Sequence, residues 1–231
     1  MFATLPYSLT MQYFNQSLNP GGTVSTPITV ASAATISLAL ITLVDAAGNP
    51  IPSTIALILG TPSTADNTKC TPTSTQNSGV SALDAVSSSV TPGNYCVAAS
   101  DNGSLSTTVA FAIRITMVTG TQTTTPTPTT ETFASFLQPG ASATHSLIVG
   151  AAKSTLSATL TSTGGPLLVL RLTVGAWDGV TCRPLSIVNT APGASPQVAL
   201  QVDPGYYCVG VKDVGNIASD HITFSVSIGH S

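Results

Sequence analysis

Charge is what this chain has least of. Only 6% of its 231 residues are Asp, Glu, Lys or Arg, where a typical soluble domain has about 25%. The six cations, Lys69, Arg114, Lys153, Arg171, Arg183 and Lys212, are scattered. Phosphate recognition needs a basic patch, so nucleic acid is not an expected partner. Glu131 is the only glutamate and Trp177 the only tryptophan, and the histidines are His145, His221 and His230. A glycosidase needs two carboxyls converging on one sugar, but Asp45, Asp66, Asp84, Asp178 and Asp203 are dispersed near turns. No G-x-S-x-G motif occurs. Asp220 and His221 are adjacent, and a strand's period of two sends them to opposite faces. The expectation is a chain that is not an enzyme and takes no cofactor.

Long apolar runs are also lacking. The longest, Val30 to Val44, is interrupted by Thr35, Ser37 and Thr42, and it falls short of the roughly 20 residues a membrane helix needs. No transmembrane segment is expected. No basic residue precedes Lys69, so a secretory leader, if the chain is exported, is expected to lie outside this numbering.

What is present is Ser, Thr, Asn and Gln, with a positive mean hydropathy. A neutral polar surface repels copies of itself weakly and tolerates close packing. Four cysteines carry most of the remaining information. Cys70 and Cys96 are spaced as Cys182 and Cys208 are, and their neighbours repeat. Cys70-Thr-Pro72 answers Cys182-Arg-Pro184, and Pro92-Gly93-Asn-Tyr95-Cys96-Val97 answers Pro204-Gly205-Tyr-Tyr207-Cys208-Val209. Phe14, Leu18, Pro20 and Gly21 answer Phe133, Leu137, Pro139 and Gly140. This is a tandem duplication. Equal spacing favours the disulfides Cys70–Cys96 and Cys182–Cys208, each contributing about 3.5 kcal/mol by loop closure. Paired cysteines imply an oxidising compartment, hence an extracellular or cell-surface location. No C-x-x-C occurs and no histidine lies near either pair in sequence, so no metal site is expected there.

Short stretches rich in Val, Ile, Thr and Tyr, such as Thr35–Leu43, Tyr95–Ala99 and Ile222–Ile228, are separated by turn signals such as Asp101-Asn102-Gly103 and Pro204-Gly205. The expected fold is all-β, two tandem antiparallel jelly-roll-like sandwiches, each with one disulfide. The expected organisation is an N-terminal arm (1–13), domain 1 (14–118), a Thr/Pro-rich linker (119–132) and domain 2 (133–231). The linker reads TGTQTTTPTPTTET, a composition that favours extended, semi-stiff backbone.

The run from Asp203 to Asn216 carries Pro204-Gly205-Tyr206-Tyr207 followed by Val209 and Val211, and an alternating strand Ile222–Ile228 closes the copy. With Leu156–Leu160 and Leu167–Leu172 upstream, it resembles bacterial pre-peptidase C-terminal (PPC-like) domains. The resemblance covers most of residues 20–118 and 137–229. It implies a jelly-roll-like sandwich, secretion, and a non-catalytic role in binding, adhesion or anchoring. No catalytic domain accompanies it here, and Leu167–Leu172 stands where the family often carries an acidic strand.

Some residues keep two readings. Asp101, Asp213 and Asn216, in equivalent turns, fit either Ca²⁺ ligation or Asx turns. Trp177 fits a sugar platform or a core cap. Asn15-Gln-Ser17 and Asn102-Gly-Ser104 match the N-glycosylation pattern, a weak signal. In the arm, Leu5, Tyr7, Leu9, Met11 and Tyr13 alternate with polar residues, a one-faced strand. It either lies on the edge of its own domain or adds to a neighbouring molecule, which would propagate head to tail. The functional expectation is a structural subunit of an extracellular filament or surface assembly, self-associating through that arm. The alternative is a secreted adhesive or accessory module for a glycan or protein ligand.

Overall fold

The computed structural model describes residues 7–63, 69–120, 127–150, 153–165, 167–218 and 220–230. The chain divides into two compact units, Met1–Thr123 and Thr124–Ser231. Domain 1 holds β1 (Ser8–Leu18), β2 (Thr23–Val30), β3 (Ala34–Val44), β4 (Ile55–Pro62), β5 (Cys70–Ser78), β6 (Val86–Val90), β7 (Gly93–Ser100) and β8 (Val109–Thr119). Domain 2 holds β9 (Thr129–Leu137), β10 (Ser142–Val149), β11 (Ser154–Ser162), β12 (Leu170–Trp177), β13 (Cys182–Thr190), β14 (Val198–Val202), β15 (Gly205–Asp213) and β16 (Ile222–His230).

Domain 1 has sheets in the order β1-β8-β3-β6 and β2-β7-β4-β5; domain 2 repeats both as β9-β16-β11-β14 and β10-β15-β12-β13. Every pairing is antiparallel. This is the eight-stranded jelly roll, and it occurs twice. Period-two alternation builds each core. Phe14, Ile36, Leu38, Ile113 and Ile115 from one sheet of domain 1 meet Ile28, Leu57, Leu59 and Val97 from the other, all buried. Leu156, Leu160, Val226 and Ile228 face Leu172, Val174, Tyr207 and Val209 in domain 2, and all are buried. Burial of such side chains contributes about 1.5–3 kcal/mol each.

The arm takes the first of its two options. β1 pairs with β8 of its own domain without a break, from Ser8↔Thr119 to Leu18↔Val109. Leu5 lies outside the described residues. Phe14 points into the core, so Leu9, Met11 and Tyr13 point to the opposite, outer face, half-buried beside Val118, Thr116 and Arg114. The expected linker is corrected at its C-terminal end. Residues 129–132 are strand, not spacer: Thr129 pairs with His230, Glu131 with Ile228 and Thr132 with Ser227. Threonine favours a pleated strand as much as an extended spacer, and here an open edge of β16 captures it. The equivalent place in domain 1 is the arm itself, since Phe14 and Phe133 occupy matching registers opposite Ile113 and Val226.

Both disulfides form as expected, Cys70–Cys96 and Cys182–Cys208, each with Cα atoms 5.7 Å apart. Each crosses a strand. β5 and β7 flank β4, and the bridge passes over Gly60, which faces both Pro72 and Cys96 beside a bulge. Gly175 repeats this, facing Pro184 and Cys208. A Cβ at Gly60 would collide with the Thr71 carbonyl, and one at Gly175 with the Arg183 carbonyl. Glycine is required there by proximity rather than by φ.

Candidate functional site

The turn acids settle into one role. Asp101 Oδ1 accepts hydrogen bonds from the amides of Gly103, Ser104 and Leu105, and its Oδ2 from that of Gly21. Asp213 does the same with Gly215, Asn216, Ile217 and, from the β9–β10 connection, Gly140. The amide of Gly21 on Asp101, and of Gly140 on Asp213, is the largest influence holding each carboxyl below its ordinary range. These are Asx turns that also pin the connection between the first two strands of each domain, which crosses from one sheet to the other. Their carboxylates are saturated by backbone donors, which leaves the Ca²⁺ reading without ligands to offer. Asp178 is partly buried, which pushes its carboxyl up. The amides of Thr181 and Val180, the Thr181 hydroxyl and Arg183 more than offset this and hold it at about 2. Trp177 ends β12 opposite Cys182, half-buried beside the bridge. Asn15 lies exposed in β1, and Asn102 exposed in its turn.

Two polar clusters were not foreseen. The first is in domain 2. Glu131 on β9, His145 on β10 and His230 on β16 all point between the sheets, at the edge of the sandwich. His145 Nε2 lies 2.9 Å from Glu131 Oε2, and His230 Nε2 lies 2.7 Å from Oε1. A carboxylate only accepts, so both imidazoles donate Nε2–H. The bond from His145 is the largest influence lowering the Glu131 carboxyl, followed by that from His230. Phe133 forms the floor, stacked on His145 at 5.4 Å and edge-on to Phe224 at 5.1 Å. His230 is half-buried, and its Nδ1, which is buried, has no hydrogen-bond partner. The cluster ties edge strands of opposing sheets together. Among the described residues, no group of three His, Cys, Asp or Glu is placed to hold a metal ion. The matching positions in domain 1, Gln12, Thr26 and Met117, carry no such charge.

The second cluster is in domain 1. Arg114 lies on β8 between core-facing Ile113 and Ile115, so it leaves the sheet on the outer face, yet its side chain is fully buried. The β5–β6 loop covers it. Its guanidinium donates to the Ala82 carbonyl at 3.0 Å and to Asp84 Oδ1 at 3.1 Å. Nothing in the local sequence marks this pair, whose members are 30 residues apart.

Domain 2 also has a cleft of about 470 Å³, with Leu168, Asn216, His221, Ile222 and Thr223 among its lining residues. Asp220 is exposed and does not line it.

No family model matches the chain, and no curated protein matches it. Among solved structures, the PBSX exported protein XepA is 12% identical, with 96% of this chain and 86% of that one covered and a TM-score of 0.30. PNGase F, a glycosylasparaginase from Flavobacterium meningosepticum, is 10% identical over 98% and 96%, with a TM-score of 0.35. A chain from the triple jelly-roll turret assembly of an archaeal virus is 11% identical over 94% of this chain and 58% of that one, with a TM-score of 0.32. Likeness of this size carries no inference about what the chain does.

Proposed function

We propose that the protein is a structural subunit of an extracellular assembly, in which domain 1 meets other copies through the edges of its sandwich. One observation carries this reading. The edge strands β1, β2, β5 and β6 contain no Lys, Arg, Asp or Glu. Sheet edges offer unpaired N–H and C=O groups, and monomeric proteins commonly guard them with charge. Here Pro27, Pro72 and the β5 bulge at Thr73 interrupt them, with no charged side chain. The arm takes part from its place in cis: Tyr7, Leu9, Met11 and Tyr13 present an apolar outer face, and the free edge of β1 runs beside them. Two disulfides suit such a chain to an oxidising exterior.

Deleting the arm would strip β8 of a full-length partner, so added charge is the cleaner test. Sedimentation and negative-stain microscopy would compare the parent with Thr75→Lys/Asn77→Lys on β5 and Asn15→Lys/Ser17→Lys on β1. Ordered multimers of the parent that disperse in either variant support the reading. A parent that stays monomeric at every concentration defeats it.

A second reading, a secreted adhesive or accessory module of PPC-like type, draws on the asymmetry of the duplication. All three histidines, the glutamate and the tryptophan fall in the second copy. A monomeric parent with a ligand captured by domain 2 would favour it.

A further inference from the structure

The cleft of domain 2 sits beside an aromatic ring left in solvent. Phe136, on β9 opposite Thr223, is 62% exposed, while Phe14, Phe111 and Phe224 are buried. Its ring lies edge-on to His221, centroids 6.4 Å apart. Leu167, on the turn between β11 and β12, is 77% exposed nearby in the chain to Leu168 of the cleft. The cleft's volume is in the range of small-molecule sites. Its polar side chains are the Asn216 carboxamide, the His221 imidazole and the hydroxyls of Thr163 and Thr223; among the described residues, no carboxylate, lysine or arginine lines it. Asn216 Nδ2 is held by the Val169 carbonyl at 2.8 Å, which fixes its Oδ1 as an acceptor.

The duplication supplies an internal control. The positions matching Phe136, His221 and Asn216 in domain 1 are Ser17, Thr108 and Ser104, so the same scaffold folds without an exposed ring or an imidazole there. The fold therefore does not require these residues. A flat apolar face beside uncharged donors and acceptors matches a pyranose, which has an apolar C–H face and neutral hydroxyls. We propose that this cleft binds a neutral saccharide. The inference is independent of assembly through domain 1.

The test is saturation-transfer and amide-shift NMR on the full chain. The probes are the methyl glycosides of glucose, galactose, mannose, fucose and N-acetylglucosamine, with methyl glucuronide and cyclohexanol as controls. At least one neutral glycoside should shift the amides of Asn216, Ala218, His221 and Thr223 with a Kd on the order of 1 mM. Phe136→Ala should weaken it about tenfold or more while leaving the melting temperature near the parent's, because the ring is exposed. His221→Ala should also weaken it. Absence of any neutral-glycoside shift at about 20 mM overturns the proposal. So does cyclohexanol binding as tightly as the sugars, or unchanged affinity in Phe136→Ala.

Discussion

Replacing Gly60 or Gly175 with alanine tests how tightly the disulfides are laid over their strands. The new Cβ would collide with the carbonyl of Thr71 or Arg183, and it would sit 3.0 Å from the Sγ of Cys70 or Cys182. A carbonyl within a ladder cannot swing away, so β5 or β13 must shift as a whole. Overpacking of this kind costs about 1–3 kcal/mol, and a lost ladder bond beside the bulge about 1 kcal/mol more. The stiffer unfolded chain returns about 0.5–1 kcal/mol. The net loss is about 1–3.5 kcal/mol, which lowers the melting temperature of a hundred-residue domain by about 4–28 °C. Calorimetry of the oxidised variants measures it, with thiol titration confirming that both bridges have closed. Gly150→Ala, where a Cβ meets nothing within 4 Å, is the control. A Gly60→Ala protein that melts within about 2 °C of the parent, both bridges intact, would refute the reasoning.

Two other changes probe the unforeseen clusters. Asp84→Ala should cost domain 1 about 3 kcal/mol in chemical denaturation, because it removes a carboxylate from a fully buried guanidinium; a loss under about 1 kcal/mol would mean the Ala82 carbonyl and its other surroundings suffice. Glu131 has a folded-state carboxyl held below its ordinary value, so its stabilisation is complete above the unfolded carboxylate range, near pH 4.3, and fades as pH falls through the lowered folded value. Glu131→Gln should therefore lower the melting temperature at neutral pH and flatten its decline under acid, and an unchanged acid profile would count against the cluster.

What was legible in the sequence was what repeats or is local. The bridges follow from equal cysteine spacing, and Asp101 and Asp213 sit in turns whose residues cap them within four positions. What was hidden depends on closure of the barrel-like topology. Glu131 and His230 are 99 residues apart, joined because the first and last strands of a jelly roll are neighbours. The same closure hid the role of the arm: Leu9, Met11 and Tyr13 looked like a face in search of a core, while Phe14 one residue on reverses the parity and takes the core instead. Arg114 read as one scattered cation among six, since burial by a loop leaves no trace in a strand's own pattern. Residues 129–132 shared their composition with the spacer, and only an available partner edge tells strand from spacer. Gly60 and Gly175 stand in matching strands, and their different spacing from the following cysteine concealed the match.

The duplication has a consequence for how the chain reaches this structure. Each strand has a twin that could dock in the other copy's slot, and four thiols allow three pairings, two of which would join the copies. Tandem domains of one topology are prone to such misassembly. The polar groups that differ between the copies discriminate against it. β8 placed in the slot of β16 would carry Arg114 to the position of Ser227, where Pro196 stands in place of Asp84 and no carboxylate meets the charge. β1 placed in the slot of β9 would offer His145 and His230 the amide of Gln12 instead of an ionised partner. Charge is scarce on this chain, and Arg114 and Glu131, whose partners have no counterpart in the other copy, would each lose their ion pair if strands were exchanged between the copies.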